Sequence, residues 1–174
     1  MSALKSRNSA KERSSASTRK KVVVVFLDRT PVKGYLNASS LGTSDIIDLL
    51  TPEGEHLEIA AQDVKSVYFV REFQEGFQSE RKVFLSRPKL DGLWVRIKFT
   101  DDDVMEGIVA NDLVEILDSG VQLTPPDIHG NNLRVFIPRP AVAEIKVLGV
   151  VGAARQTRKA PAGAASAQPT LFDE

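Results

Sequence analysis

The chain has 174 residues, no cysteine and only two histidines, His56 and His129, which excludes disulfides and thiolate metal sites and leaves a conventional zinc centre almost without ligands. Hydrophobic residues make up 42%, enough for a buried core, yet no apolar run reaches membrane-spanning length and no charged-then-apolar leader opens the chain, so a cytoplasmic protein is expected. The formal net charge of zero hides three regions: residues 1–21 carry seven Lys or Arg against one acid, 22–148 carry thirteen against twenty, and the rest three against two.

In chain order, residues 1–21 come first as a basic arm, with Lys5, Arg7, Lys11, Arg13, Arg19, Lys20 and Lys21 interleaved with serine. Too few large apolar groups are present to offset the entropy of ordering it, so a disordered arm is expected. Such an arm could hold a nucleic-acid backbone by counterion release, a salt-sensitive and sequence-blind mode; its alternative role is that of a solubilising tail. The body is acidic and should repel phosphates, so nucleic-acid affinity would have to come mainly from these residues.

Residues 22–70 form a first repeat. Its opening "VVVVFLDRTPVKGYL" superposes without a gap on "VRIKFTDDDVMEGIV", 73 residues later, matching Phe26 with Phe99, Asp28 with Asp101 and Gly34 with Gly107. After a five-residue insertion, "LEIAAQDVKSVYFV" matches "VFIPRPAVAEIKVL" at an offset of 78 residues. The apolar period is two: Val95, Ile97 and Phe99 alternate with Arg96 and Lys98, which is strand patterning. Strands are expected near 22–27, 32–38, 45–50, 56–60 and 64–70, and again near 94–99, 104–110, 113–123, 133–137 and 142–148. Polar turns and a glycine inside the second strand of each set complete a unit of about 50 residues, five strands to a small barrel. The fold expected is therefore all-β: two tandem five-stranded barrels, 22–70 and 93–148, packed on each other or on a second copy of the chain.

Between them, the charged linker 71–92 contains Phe73, Phe77, Phe84 and Leu85, and is expected to be a short helix or a loop pinned across the barrels by its aromatics. In the second repeat, Pro125, Pro126 and the "GNN" turn make a stiff excursion before a strand flanked by Arg134 and Arg139, a candidate anion or partner site that also reads as solvated rim arginines. Asp101, Asp102 and Asp103 lie adjacent on a hairpin, where their carboxylates point apart, and a soluble turn is expected there in place of a cation site. No serine, histidine and carboxylate arrangement suggests catalysis, and neither an enzyme activity nor a cofactor is expected.

The quoted strand-turn-strand segments resemble the first half of the Sm-like fold, and more broadly SH3-like barrels. That family binds uridine-rich RNA through an Asp and Asn pair and a turn glycine; "NASSLGTSD", "ANDLVEILDSG", "IAAQDV" and "IPRPAV" do not reproduce them. The second repeat is also similar to a segment recurring in bacterial proteins of unknown function that share the duplicated unit over about residues 22–148. "NASSLG", with Asn37, Ser39 and Gly42, fits the short pattern by which PilZ domains help bind cyclic di-GMP, although the paired arginines that those domains carry upstream are not at the required spacing.

Residues 149–174 are expected to be a second disordered tail, ending in "QPTLFDE". Its "QPTLF" resembles the bacterial sliding-clamp binding peptide: Gln168, Leu171 and Phe172 match, and Pro169 departs from the commoner apolar residue. The resemblance implies a protein partner with a polar pocket for the glutamine and an apolar groove for the Leu and Phe. The sequence thus favours a non-enzymatic adaptor on a β scaffold, with a nucleic-acid-associated protein and a cyclic-dinucleotide sensor as alternatives.

Overall fold

The computed structural model describes residues 18–77, 81–112, 114, 116, 118–127 and 129–152. The expected clamp peptide (Gln168, Leu171, Phe172) and the arm residues Lys5, Arg7, Lys11 and Arg13 lie outside them.

Among the described residues there are ten strands: β1 (Arg19–Phe26), β2 (Pro31–Asn37), β3 (Ile46–Leu50), β4 (His56–Ala60), β5 (Val64–Val70), β6 (Gly92–Phe99), β7 (Val104–Val109), β8 (Gly120–Leu123), β9 (Asn132–Pro138) and β10 (Val142–Val151). All pairings are antiparallel, in two sheets ordered β4-β3-β2-β1-β5-β9-β8 and β10-β6-β7. The duplication is written into the backbone. Arg29 and Asp102 share the left-handed conformation, and Ala61–Asp63 and Arg139–Ala141 form matching 3-10 turns. Leu27 N donates to Asp63 O at 3.0 Å, as Thr100 N does to Ala141 O at 3.0 Å.

Gly34 and Gly107 explain how each repeat folds over itself. A Cβ on Gly34 would stand 2.7 Å from Leu49 Cγ, and one on Gly107 2.6 Å from Leu123 Cδ1, so each glycine lets the third strand of its repeat cross the second closely.

The expected division into two separate barrels is not how the hydrogen bonds run. The seven-stranded sheet contains the whole first repeat and continues into the second through β5 and β9, with Val67 opposite Phe136, Tyr68 opposite Val135 and Phe69 opposite Arg134. The second repeat is split between the sheets, joined by a single bridge from Ile108 to Thr124. Neither set of strands closes on itself. The physical reason lies in β5, which is buried at every position, Lys65 and Ser66 included, because it has a strand on each side.

Two cores result, and both cross the repeat boundary. Val22, Val24, Leu36, Leu49, Val67 and Phe69 gather Phe136 from the second repeat, while Val95, Ile97, Phe99, Leu123 and Ile137 gather Val23, Val25, Tyr68 and Val70 from the first. Strand β1 thus gives alternate valines to opposite cores, which is what a run of four consecutive valines is suited to.

Three further expectations are corrected. Residues 149–151, expected to begin the second disordered tail, are the end of β10. Arg19, Lys20 and Lys21 are not part of an unstructured arm; they are the first residues of β1, paired with Asn37, Leu36 and Tyr35 at the end of the hairpin away from its turn. The strand expected from 113 begins only at Gly120, and Val114 and Ile116 are helical. Asp112 causes this: its carboxylate accepts from Val114 N at 2.9 Å and its carbonyl from Ile116 N at 3.2 Å, an N-cap arrangement. The described parts of the linker contain no helix and follow the loop alternative, with Phe73 edge-on to Tyr35 at 5.4 Å, Phe77 tilted on Tyr68 at 4.8 Å and Phe84 edge-on to Trp94 at 6.0 Å. Leu85 is left 80% exposed.

Candidate anion-binding groove

The junction of the repeats carries a groove of about 670 Å³, lined by the end of β5, the start of β1 and the start of β9. Strand β1 contributes Arg19, Lys20 and Lys21, the end of β5 contributes Phe69 and Val70 with Arg71 directly after it, and β9 contributes Leu133 and Arg134. The fold therefore brings the last three cations of the basic segment beside Arg134, more than a hundred residues away in sequence.

Local bonding fixes which of these charges are available. Lys21 Nζ donates to Glu72 Oε2 at 2.6 Å and is largely neutralised. Arg71 is held by its Nε donating to Gly130 O at 3.2 Å. Arg134 lies against the Gln122 amide; with that amide turned so that its oxygen faces the guanidinium, the oxygen accepts from Nε at 3.0 Å and from Nη1 at 2.6 Å, a contact that brings no negative charge. Among the described residues no carboxylate pairs with Arg19, Lys20, Arg71 or Arg134. Four uncompensated cations in one trough, on a body that is otherwise acidic, focus positive potential there.

The "GNN" turn anchors the groove. Asn131 O accepts from Arg71 N at 3.0 Å, its Oδ1 from Glu72 N at 3.0 Å, and its Nδ2 donates to Glu72 O at 2.9 Å, so the exit of β5 is stapled to the entry of β9. Arg71 was not singled out in the sequence. The signal for it is a lone arginine directly after an all-apolar strand end, which becomes meaningful only once β5 and β9 are known to pair.

Arg139 stands apart from Arg134. It opens the 3-10 turn after β9, its N–H donating to Ser119 O at 2.8 Å, and it does not line the groove. A second cavity, of about 420 Å³, lies between β3, β4 and that turn; Asp45 is its one charged lining residue. Asn37 of the "NASSLG" segment accepts from Ser39 N at 3.2 Å and Ser39 Oγ at 2.9 Å, capping the turn Ala38–Ser40.

The buried charges elsewhere have internal partners. Lys65, with a side chain 7% exposed, donates to Asp101 Oδ2 at 2.5 Å and Asp103 Oδ2 at 2.9 Å, and Lys82 of the linker reaches Asp103 at 2.6 Å. Burial alone would raise the Asp103 carboxyl, but hydrogen bonds from Lys82 and Lys65 outweigh it and hold the group far below the usual carboxylate range. Asp102 turns away to Lys98 at 2.8 Å. Glu106 accepts from Trp94 Nε1 at 3.1 Å, Arg96 Nη2 at 2.7 Å and Phe84 N at 3.1 Å. Burial works against its charge, and these donors, Arg96 first, pull it below the ordinary glutamate range. Both clusters tie repeat to repeat or linker to repeat. No group of three or more His, Asp or Glu side chains suited to a metal occurs among the described residues, and no described helix is long and apolar enough to cross a membrane.

A family of unknown function (DUF6982) matches the chain over residues 18–149, a span that begins beside the first groove cation and takes in both repeats. No curated protein and no solved structure matches it.

Proposed function

Because the chain belongs to the family of unknown function DUF6982, whose description carries no activity, we propose its function from the groove: a cytoplasmic, non-enzymatic scaffold that holds a polyanionic strand, a nucleic-acid backbone, at the junction of two Sm-like or SH3-like units. The observation that carries this reading is that Arg19, Lys20, Arg71 and Arg134 line one groove and have no acidic partner among the described residues. In support of the unit assignment, the first repeat has the strand order 5-1-2-3-4, and the second has the same order when read through the Ile108–Thr124 bridge.

Phosphates would sit on the cations while Leu133, 42% exposed, offers the sugar edge an apolar contact. Phe69 is 8% exposed and offers no platform for a base, so recognition is sequence-blind. Lys5, Arg7, Lys11 and Arg13 precede Arg19 in the sequence and add positive charge to the same segment of the chain. The test is anisotropy of a labelled single-stranded oligonucleotide: Arg19→Glu with Arg134→Glu weakens binding at least tenfold, and Arg139→Glu, outside the groove, leaves it within about twofold. Equal loss in both variants refutes the assignment of the groove.

A second reading rests on "QPTLF": Gln168, Leu171 and Phe172 make the protein an adaptor that docks its tail on a partner groove, the sliding clamp being the partner implied. It is compatible with the first, since a clamp-bound protein works beside nucleic acid. Leu171→Ala with Phe172→Ala removes clamp binding on this reading, and binding indifferent to that change refutes it.

A further inference from the structure

The strands form one connected series, β4-β3-β2-β1-β5-β9-β8, then through the Ile108–Thr124 bridge to β7-β6-β10. Its two ends are β4 and β10. The repeat makes those ends informative, because β4 is the counterpart of β9 and β10 the counterpart of β5 at the offset of 78 residues. Inside the chain the fifth strand of one unit pairs with the fourth strand of the other. The free edges are a fourth strand and a fifth strand, the same two surfaces left unjoined.

We infer that β4 of one copy pairs antiparallel with β10 of a second copy, repeating between chains the join that β5 and β9 make within one. Burial separates the counterparts as this requires. Strand β5 is buried throughout, whereas β10 is buried only at Val151. Phe69 is 8% exposed beneath the second repeat; Val147, which occupies its place in β10, is 56% exposed. The counterparts even share their irregularity: β5 bulges at Lys65 against β1, and β10 at Ala143 against β6. An edge of this length, with no covering strand among the described residues, is an adhesive surface.

The register transfers directly. Phe69 opposite Arg134 becomes Val147 opposite His56, Tyr68 opposite Val135 becomes Lys146 opposite Leu57, and Val67 opposite Phe136 becomes Ile145 opposite Glu58. Arg87 Nη2 donates to Val150 O at 2.8 Å and closes the far end of β10. What stays open, Glu144 to Leu148, equals the five residues of β4 in length. Because the two edges differ, each copy offers β4 to one neighbour and β10 to another, and the assembly is a ring or a growing chain, not a pair. This conclusion is independent of the nucleic-acid reading. At the new join the places of Arg71 and Arg134 are taken by Gly149 and His56, so a basic groove occurs once per chain.

The absence of cysteine makes the test direct. His56→Cys and Val147→Cys are placed in separate full-length chains, both at exposed positions, and mixed under mild oxidation; strands in register bring opposing Cα atoms to about 4.5–5.5 Å, within disulfide reach. The expected product is the mixed disulfide, with the doubly substituted chain giving a ladder of three or more copies. In light scattering the unsubstituted protein exceeds twice the chain mass of 19.0 kDa, and Val147→Glu returns it to one chain. A monomer at every concentration, or cross-linking of the Val147→Cys chain to itself in preference to the mixed pair, overturns the inference.

Discussion

Arg29 and Asp102 stand 73 residues apart and hold the same left-handed backbone, at φ 71° and 63°, each donating its N–H to the residue three before it, Phe26 O at 2.9 Å and Phe99 O at 3.1 Å. The turn geometry of the repeat was kept while its side chains diverged. Left-handed backbone costs an L residue about 1–2 kcal/mol, less for aspartate, whose short side chain tolerates it. Arg29 is the worse fit, and its contact with Asp101 is long and exposed, 3.5 Å with the arginine 68% exposed, so it contributes little. Arg29→Gly should stabilise the protein by about 0.5–1 kcal/mol in urea unfolding after allowance for glycine entropy. Asp102→Gly should gain less. Equal destabilisation by both would contradict this account of the turns.

Gly34 and Gly107 face backbone or branched side chains, whereas Gly149 faces nothing within 4 Å. Gly34→Ala and Gly107→Ala should each cost about 1–3 kcal/mol through forced separation of the crossing strands. Gly149→Ala should be near neutral in the same thermal melts, and a comparable loss there would sink the argument.

The Lys65, Asp101, Asp103 and Lys82 cluster fastens β5, the second repeat's first hairpin and the linker together. Lys65→Met leaves two partly buried carboxylates with fewer donors and should cost about 1.5–3 kcal/mol. Asp101, Asp103 and Glu106 all have folded pKa values below their ordinary ones. For groups depressed in this sense the stabilisation is complete above the unfolded value, about 4, and is lost as pH falls through the folded value. Stability measured from pH 6 downward should therefore be flat to about pH 4.5 and then fall, and in Lys65→Met the fall should be shallower. An unchanged acid limb in that variant would show that the cluster does not set it.

Much of this arrangement was legible in the residues. Alternation in "WVRIKF" places β6, and the matched glycines and turns reveal the duplication, because strand period and turn chemistry are local properties. Pairing across repeats is not local: the alternation of β5 suits a neighbour from either repeat, and Lys65 and Ser66 disguise a strand buried on both faces. The strand expected from 113 misses the helical residues Val114 and Ile116, because the capping role of Asp112 just before it depends on hydrogen bonds that apolar patterning does not register. Arg19, Lys20 and Lys21 belonged to the arm by charge and to β1 by pairing, and the groove emerges only when β1 is set beside β9 across β5. Arg134 was a candidate from the start; its company could not be read from a linear sequence.

The measurement that bears most directly on the groove is the salt dependence of single-stranded oligonucleotide binding by the full chain and by its Arg19→Gln, Arg134→Gln variant. Each phosphate contact contributes about 0.7 to the slope of log affinity against log salt on a single strand. The variant should bind more weakly with a slope lower by about 1.4, the two contacts removed. An unchanged slope and affinity would mean that the groove does not hold the polyanion.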